Sequence, residues 1–442
     1  MLVNNPSFRL MRVMAIATAI LFAASTSAAA QYERVLHSFS NTNTINVAGG
    51  PYSGLIFDAA GNLYGTSSAG GVYNDGVVFE LTPRADRGWT TKTLHNFDSQ
   101  NGLDGASPQS TPIFDAAGNL YGTTAFGGTD DVGTVYELVG QPGGGWIQKV
   151  LYSFLENGID GYLSLAPLTF DASGNLYGTT VSGGASGGGG IVFELTPQSD
   201  GSWVETVLYS FCSQPRCIDG GSPLGGLIFD ASGNLFGMTS LGGAHNDGAV
   251  FELTPLAGGG WTETVLHNFN SHGFNGHGSD GVNPHAGLIF DATGNLYGTT
   301  AEGGSHDWGT VFKLTPQPGG SWKETVLHNF NADGTDGIYP FSSLSFDLSG
   351  NLYGTTNEGG TDDVGAAFEL KPQAGGEWAE KILHSFEFNG TDGYDPYGGL
   401  IVDAAGNVYG TTRSGSTYNE GTAFEITPWG DIVPGSQRPA GR

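Results

Sequence analysis

The chain has 442 residues, of which 38% are hydrophobic and 12% aromatic, enough for a large core, and its 75 glycines are well above ordinary usage. The formal charge is −28 at pH 7. Such acidity argues against nucleic acid and anionic membrane surfaces as partners, because both would be repelled.

In chain order, the first thirty residues stand apart. Arg9 and Arg12 precede an apolar run from Val13 to Ala24, and Ala28-Ala29-Ala30 offers a small-residue cleavage site. A membrane anchor would need about 20 apolar residues, and this run is shorter. Residues 1–30 are therefore expected to be a cleaved signal peptide; its loss removes two Arg and no acid, taking the charge from −28 to −30. No Cys follows the cleavage site to take a lipid, and no later apolar stretch is long enough to span a bilayer. The expectation is an exported chain, periplasmic or extracellular, without membrane insertion and monomeric.

From residue 31 the chain repeats. The run Val35-Leu36-His37-Ser38-Phe39 reads as a strand, and a longer motif follows at Phe57-Asp58-Ala59-Ala60-Gly61-Asn62-Leu63-Tyr64-Gly65-Thr66-Ser67. The Asp of this motif returns at Asp115, Asp171, Asp230, Asp291, Asp347 and Asp403, with spacings of 57, 56, 59, 61, 56 and 56 residues. A fixed period of this size signals a propeller, a solenoid or another array. The unit after His285 shows its parts. Ala286 to Phe290 is an apolar run, Asp291-Ala292-Thr293-Gly294-Asn295 a turn, and Leu296 to Thr300 an alternating strand. An Asp side chain caps such a turn through backbone amides, and Gly-Asn tolerates the positive φ it needs. Thr310 to Leu314 and Trp322 to Phe330 supply a third and a fourth strand. Four short strands joined by hairpins make one propeller blade. Helical periodicity is absent throughout.

The chain opens with a fourth-strand segment at 35–39, whereas the last unit ends after Phe424-Glu425-Ile426-Thr427-Pro428 without one. The strand count balances only if the N-terminal strand completes the last blade. This closure removes the open edges of a linear stack, so an all-β, seven-bladed propeller over residues 31–428 is favoured over a β-solenoid. The loops from fourth to first strand and from second to third strand should then share one face, opposite the tight Asp hairpins.

The tandem units, as in GGLIFDASGNLFGMTSLGGAHNDGAVFELTP and WTETVLHNF, resemble the GloVer-type tandem repeat of exported bacterial proteins over about residues 31–428. The hairpin also resembles, more weakly, the D-x-x-G-N-L-[WY] turns of other bacterial propellers. The resemblance implies an exported repeat protein and brings no established catalytic residues. Some members of the family are thought to carry C-terminal surface anchors, but the polar tail Trp429 to Arg442 has no anchor-like apolar segment.

Cys212 and Cys217, the only cysteines, are expected to pair in an oxidising compartment. On the presumed loop face, Asp104, Asp160, Asp219, Asp280, Asp336 and Asp392 each precede Gly. They suit Ca²⁺, although Asp-Gly equally makes plain turns and no loop has the density of a dedicated calcium site. His37, His95, His267, His328 and His384 share one fourth-strand position, where Tyr152 and Tyr209 stand in the other two blades. The Tyr substitutes point to packing or hydrogen bonding. His245, His272, His277, His285 and His306 cluster in sequence and leave a transition-metal site open. Equivalent loop positions vary between aromatic and polar types at Tyr73, Asp130, His245, His306, Asp362 and Tyr418, with Trp308 nearby. These seven residues are the candidate ligand contacts, suited to sugars or peptides.

No nucleophile elbow or phosphate loop is present, and the sevenfold Asp of the tight turn is structural. The expected function is a non-enzymatic exported scaffold binding a glycan or an extracellular protein on its acidic loop face. A secreted carbohydrate-active hydrolase or lyase, and a structural or adhesive envelope protein, are the alternatives.

Overall fold

The computed structural model describes residues 32–40, 49–101, 103–185, 187–270 and 280–427. The expected signal peptide, the C-terminal tail, His272 and His277 lie outside the described residues. No helix among the described residues is long and apolar enough to cross a membrane.

The described residues form seven four-stranded antiparallel sheets. Blade 1 spans 56–96, blade 2 113–153, blade 3 169–210, blade 4 228–268, blade 5 289–329 and blade 6 345–385. Blade 7 takes Ile401–Val402, Val408–Thr412 and Thr422–Thr427 from the C-terminal end and Tyr32–Ser38 from the N-terminal end. The N-terminal strand pairs antiparallel with the last, from Tyr32 opposite Thr427 to Ser38 opposite Thr422. The ring therefore closes as its strand count requires.

Blade 5 shows why these residues take this form. Its strands are Ile289–Phe290, Leu296–Thr300, Thr310–Pro316 and Trp322–Asn329. The first is only two residues long, where the sequence suggested five; Ala286 to Leu288 run up to it outside the ladder, and the Gly287 amide bonds Ser343 of the next unit instead. The second is buried along its whole length, because it lies between the inner and outer strands and between the neighbouring blades. Gly298 sits where a Cβ would stand 2.8 Å from the Phe312 ring of the third strand, so the repeat glycine is a packing requirement.

The core lies between blades. The Phe that ends each fourth strand inserts against an aromatic residue of the next blade's third strand: Phe97 on Tyr136, Phe154 on Phe193, Phe211 on Phe251, Phe269 on Phe312, Phe330 on Phe368, Phe386 on Phe424. Phe39 on Phe79 completes the circle across the closure. Burying each such ring fully is worth roughly 2–3 kcal/mol. Second-strand threonines add a polar stitch: Thr299 Oγ1 donates to Ser342 O at 3.1 Å and Thr411 Oγ1 to Ser53 O at 2.6 Å, each across a blade joint.

Every third–fourth strand pair contains a register shift at one place, between Val311 and Phe312 in blade 5 and at the equivalent position in the others. Val311 faces His328 and Phe312 faces Val326, so Leu327 is extra. One inserted residue reverses the facing of everything beyond it. Glu324 and His328, four apart and otherwise on one face, therefore point into opposite joints.

Both loop sets leave the ring on one face, since they hydrogen-bond to each other. Gly105–Ala106 pairs with Phe126–Gly127, and Gly393–Tyr394 with Ser414–Gly415. The tight Asp hairpins occupy the other face. Cys212 and Cys217 are joined in the loop that leads from blade 3 into blade 4.

Candidate functional site

The hairpin Asp residues are committed to their own turns. Asp291 Oδ1 accepts from the amides of Thr293 and Asn295, and Oδ2 from Asn295 Nδ2 and Tyr297 Oη. Burial would raise its carboxyl, but these donors outweigh it and hold the group well below the usual carboxylate range. In most blades the same Tyr also donates to a third-strand Glu, as Tyr121 does to Glu137 at 2.8 Å. A cleft of about 520 Å³ opens on this face between blades 7 and 1, and its acids Asp58 and Asp403 accept the amides of Asn62 and Asn407 in their own turns.

On the loop face, the Asp-Gly carboxylates fasten loops to strands. Asp104 accepts from the amides of Asp98 and Gly105 and from His95 Nε2. Asp336 takes the Asn331 amide and His328 Nε2, and Asp392 takes Glu387 N and His384 Nε2. In blades 2 and 3 Tyr152 and Tyr209 donate a hydroxyl to Asp160 and Asp219. The shared fourth-strand position is thus a hydrogen-bond partner of the loop Asp. Burial would lower His328, yet Asp336 and Glu380 together raise it. For His37 the repeat position of the Asp is Val47 in the sequence; burial drops the His37 pKa to about 4.

A fourth-strand Glu of the following blade completes these joints: Glu205, Glu263, Glu324, Glu380 and, across the closure, Glu33. Desolvation, then a facing loop Asp, pushes Glu205, Glu263 and Glu33 up to about 7. Glu324 and Glu380 are raised by the same causes, with Asp280 and Asp336 opposite them. By spacing alone, His267, Asp280 and Glu324, His328, Asp336 and Glu380, and Glu33, His384 and Asp392 could each hold a metal ion, their polar atoms lying within 4.8 Å of one another. These groups lie between blades, away from the loop tips where His245 and His306 are exposed.

The seven candidate contacts stand on six blades. Tyr73 and Tyr418 are 50% and 53% exposed, and Asp130, His245, His306 and Asp362 are exposed loop residues too. Asp130 and Asp362 each accept an amide of the neighbouring loop, from Glu156 and Phe388. Only Trp308 is half-buried, with its ring 5.3 Å from Tyr339.

That contact leads to a site absent from the expectations. The residue after the repeat proline is Tyr52, Gln109, Leu165, Leu224, His285, Phe341 and Tyr397 around the ring, with Ser164 replacing the proline before Leu165. All seven are half-buried, just before the inner strands, at the loop-face end of the ring's centre. On one side only, they form an aromatic arc. His285 lies 4.7 Å from Phe341, Phe341 stacks on Tyr397 at 5.5 Å and 13°, and Tyr397 meets Tyr52 at 5.1 Å. Tyr339 stacks on Phe341 at 6.4 Å and 16°. The Arg413 guanidinium sits over Tyr52 at 5.0 Å and Tyr397 at 5.8 Å. Its repeat position holds Ser68, Ala125, Val181, Ser240, Ala301 and Asn357 elsewhere. Asn357 is 6% exposed, and its Nδ2 has no hydrogen-bond partner.

The backbone here is strained. The residue before the repeat proline has positive φ in every unit, including Leu163 at 59° and Tyr339 at 57°, a region that bulky residues avoid and that concentrates at ligand clamps. Repeat comparison could have found the arc, because the post-proline position varies between aromatic and aliphatic types just as Tyr73 and its equivalents do.

Among solved structures the chain is similar to PorZ, a bacterial surface component of the type-IX secretion system of Porphyromonas gingivalis, at 14% identity and a TM-score of 0.43; 79% of this chain aligns with 43% of that one. It is also similar to a putative oxidoreductase (glucose dehydrogenase) from Thermus thermophilus, at 16% identity and a TM-score of 0.38, over 90% of this chain and 99% of that one. The chain thus spans less than half the length of PorZ, and both likenesses concern the fold. No curated protein matches it. The family model of the Gloeobacter/Verrucomicrobia repeat matches residues 51–277 and 271–433. That match covers most of the chain and all the repeat units after the N-terminal strand, so the chain belongs to the Gloeobacter/Verrucomicrobia repeat family.

Proposed function

We propose that the protein is an exported, non-enzymatic scaffold that binds a glycan on its loop face, at the arc of Tyr52, Phe341 and Tyr397. The observation that carries this reading is the break in sevenfold symmetry. Equivalent positions hold Gln109, Leu165 and Leu224 on the other side, while here near-parallel rings adjoin Arg413, the only cation among its repeat equivalents. Sugar rings present C–H faces to aromatic planes and hydroxyls to donors such as Arg413 and Asn357. Trp308 extends the platform, and the exposed Tyr73, Asp130, His245, His306, Asp362 and Tyr418 form its outer rim. Export is supported by the leader-like composition of residues 1–30 and by the Cys212–Cys217 disulfide.

The test is binding of the purified mature chain to an array of neutral and acidic polysaccharides, followed by calorimetry. Tyr397→Ala and Arg413→Ala should each weaken binding about tenfold, an effect of ~1.4 kcal/mol. Unchanged affinity in both variants would move the site off the arc. Release of products would identify a hydrolase or lyase instead, and the lack of any retained glycan would favour a protein partner or an envelope role. Calcium, suggested by the loop carboxylates, belongs to this site only if chelation weakens the binding.

A further inference from the structure

The blade joints carry five pairs of facing acids that the binding face does not use. Each pairs a loop Asp with a Glu from the next blade: Asp160 with Glu205, Asp219 with Glu263, Asp280 with Glu324, Asp336 with Glu380, and Asp392 with Glu33. The other groups facing each Glu are Tyr152 at the first, Tyr209 at the second, His267 at the third, His328 and Asp333 at the fourth and His384 at the fifth.

We infer that each of these Glu is protonated in the closed ring and donates its acid proton to the facing Asp, so that the propeller is latched by shared protons and loosened by alkali. Three observations carry this. First, one joint has Gln148 in place of the Glu, and its Nε2 donates to Asp104 Oδ1 at 2.9 Å. The position is therefore a donor to the loop Asp, a role Glu fills only as the neutral acid. Second, Oε1 of Glu33, Glu205, Glu263, Glu324 and Glu380 is buried with no hydrogen-bond partner, and so is Asp336 Oδ1 opposite Glu380. One proton shared with the Asp gives each Glu oxygen a partner; as a carboxylate the Glu would be left unpaired and repelled by the Asp. Third, the one repeat whose sequence has Val47 at the Asp position is followed by a blade that also lacks the Glu. Thr91 takes its place and bonds His37 Nδ1 at 2.8 Å. A metal-ligand set does not account for this pattern, because the acid pair persists where His is replaced by Tyr152 or Tyr209.

The direction of the pH effect follows. The folded ring holds these Glu above their usual 4.5, at about 7 for Glu33, Glu205 and Glu263 and raised likewise for Glu324 and Glu380. A group raised on folding contributes stability in full below its unfolded pKa, and that contribution is lost as pH rises through the folded value. On alkalinisation each shared proton leaves to solvent, and two carboxylates remain face to face. Asp280, Asp336 and Asp392 hold the loops that lead to His285, Phe341 and Tyr397, so the binding face slackens with those joints.

Thermal unfolding of the mature chain between about pH 5 and about pH 8.5 tests this, and Tm should fall by at least about 5 °C over that range. Glu33→Gln, Glu205→Gln, Glu263→Gln, Glu324→Gln and Glu380→Gln combined should flatten the profile, since Gln copies the protonated acid. Gln148→Glu should steepen it by adding a sixth pair. Should the combined variant fail to fold, Glu205→Gln and Glu263→Gln singly must still reduce the slope. Infrared spectra near neutral pH should show a protonated-carboxyl stretch that these variants lose. A flat or rising wild-type profile, a slope unchanged in the Gln variants, or stabilisation by added Zn²⁺ or Ca²⁺ in place of the pH slope would overturn the inference.

Discussion

At the scale of single residues, the repeat uses carboxylates in two opposite protonation states. The hairpin Asp is ionised and collects donors; Asp291 alone takes two amides, an Asn amide and a Tyr hydroxyl. Asp291→Ala should therefore cost about 1–2 kcal/mol, read as a lower denaturant midpoint. Because its pKa is depressed from 3.8, that contribution is present above this value and lost as pH falls below it, so the deficit of the variant should shrink in acid. The joint Glu behaves in the reverse sense. Asp in a Gly-Asn turn announces its role, since its donors lie within six residues. A Glu on a strand does not, because its partner Asp belongs to another blade.

At the scale of elements, the second strand is the least tolerant piece. Gly298 has no room for a side chain beside Phe312. Gly298→Ala should cost about 1–3 kcal/mol through overpacking, and Gly294→Ala, with open space around it but φ of 82°, about 1 kcal/mol through backbone strain alone. Chemical denaturation of the two variants would show whether the ordering holds. Strand identity and order were readable from alternation and turn chemistry. The bulge at Leu327 was not, because the run Thr325-Val326-Leu327-His328 alternates neither more nor less cleanly with it. Yet that extra residue turns His328 toward Asp336 and leaves Glu324 facing Asp280, and so builds a joint on each side of one strand.

For the whole molecule, closure is the decisive contact. Tyr32–Ser38 supplies the outer strand of blade 7, Phe39 fills the space against Phe79, and Glu33 serves the last acid pair. Removing residues 31–40 exposes the edge at Thr422–Thr427 and empties a full Phe site. The truncated chain should melt at lower temperature and over a broader range, and should associate at its free edge. Calorimetry with size-exclusion chromatography checks this; an unchanged, monomeric melt would contradict the closure.

The sequence by itself determined the period, the four strands of each blade, the Asp hairpin, the number of blades and the need for the N-terminal strand to complete the last one. Those features follow from interactions within about ten residues and from the count of strand ends. Only the tertiary structure decided which residues meet. Tyr52 and Tyr397 are 345 positions apart in the chain, yet closure brings their rings to 5.1 Å with Arg413 above both. The exposed loop residues chosen from sequence variability, from Tyr73 to Tyr418, remain dispersed over six blades. The reason is geometric: a propeller carries its loop tips outward with the blades, whereas the residues preceding each inner strand are drawn together where the seven sheets converge.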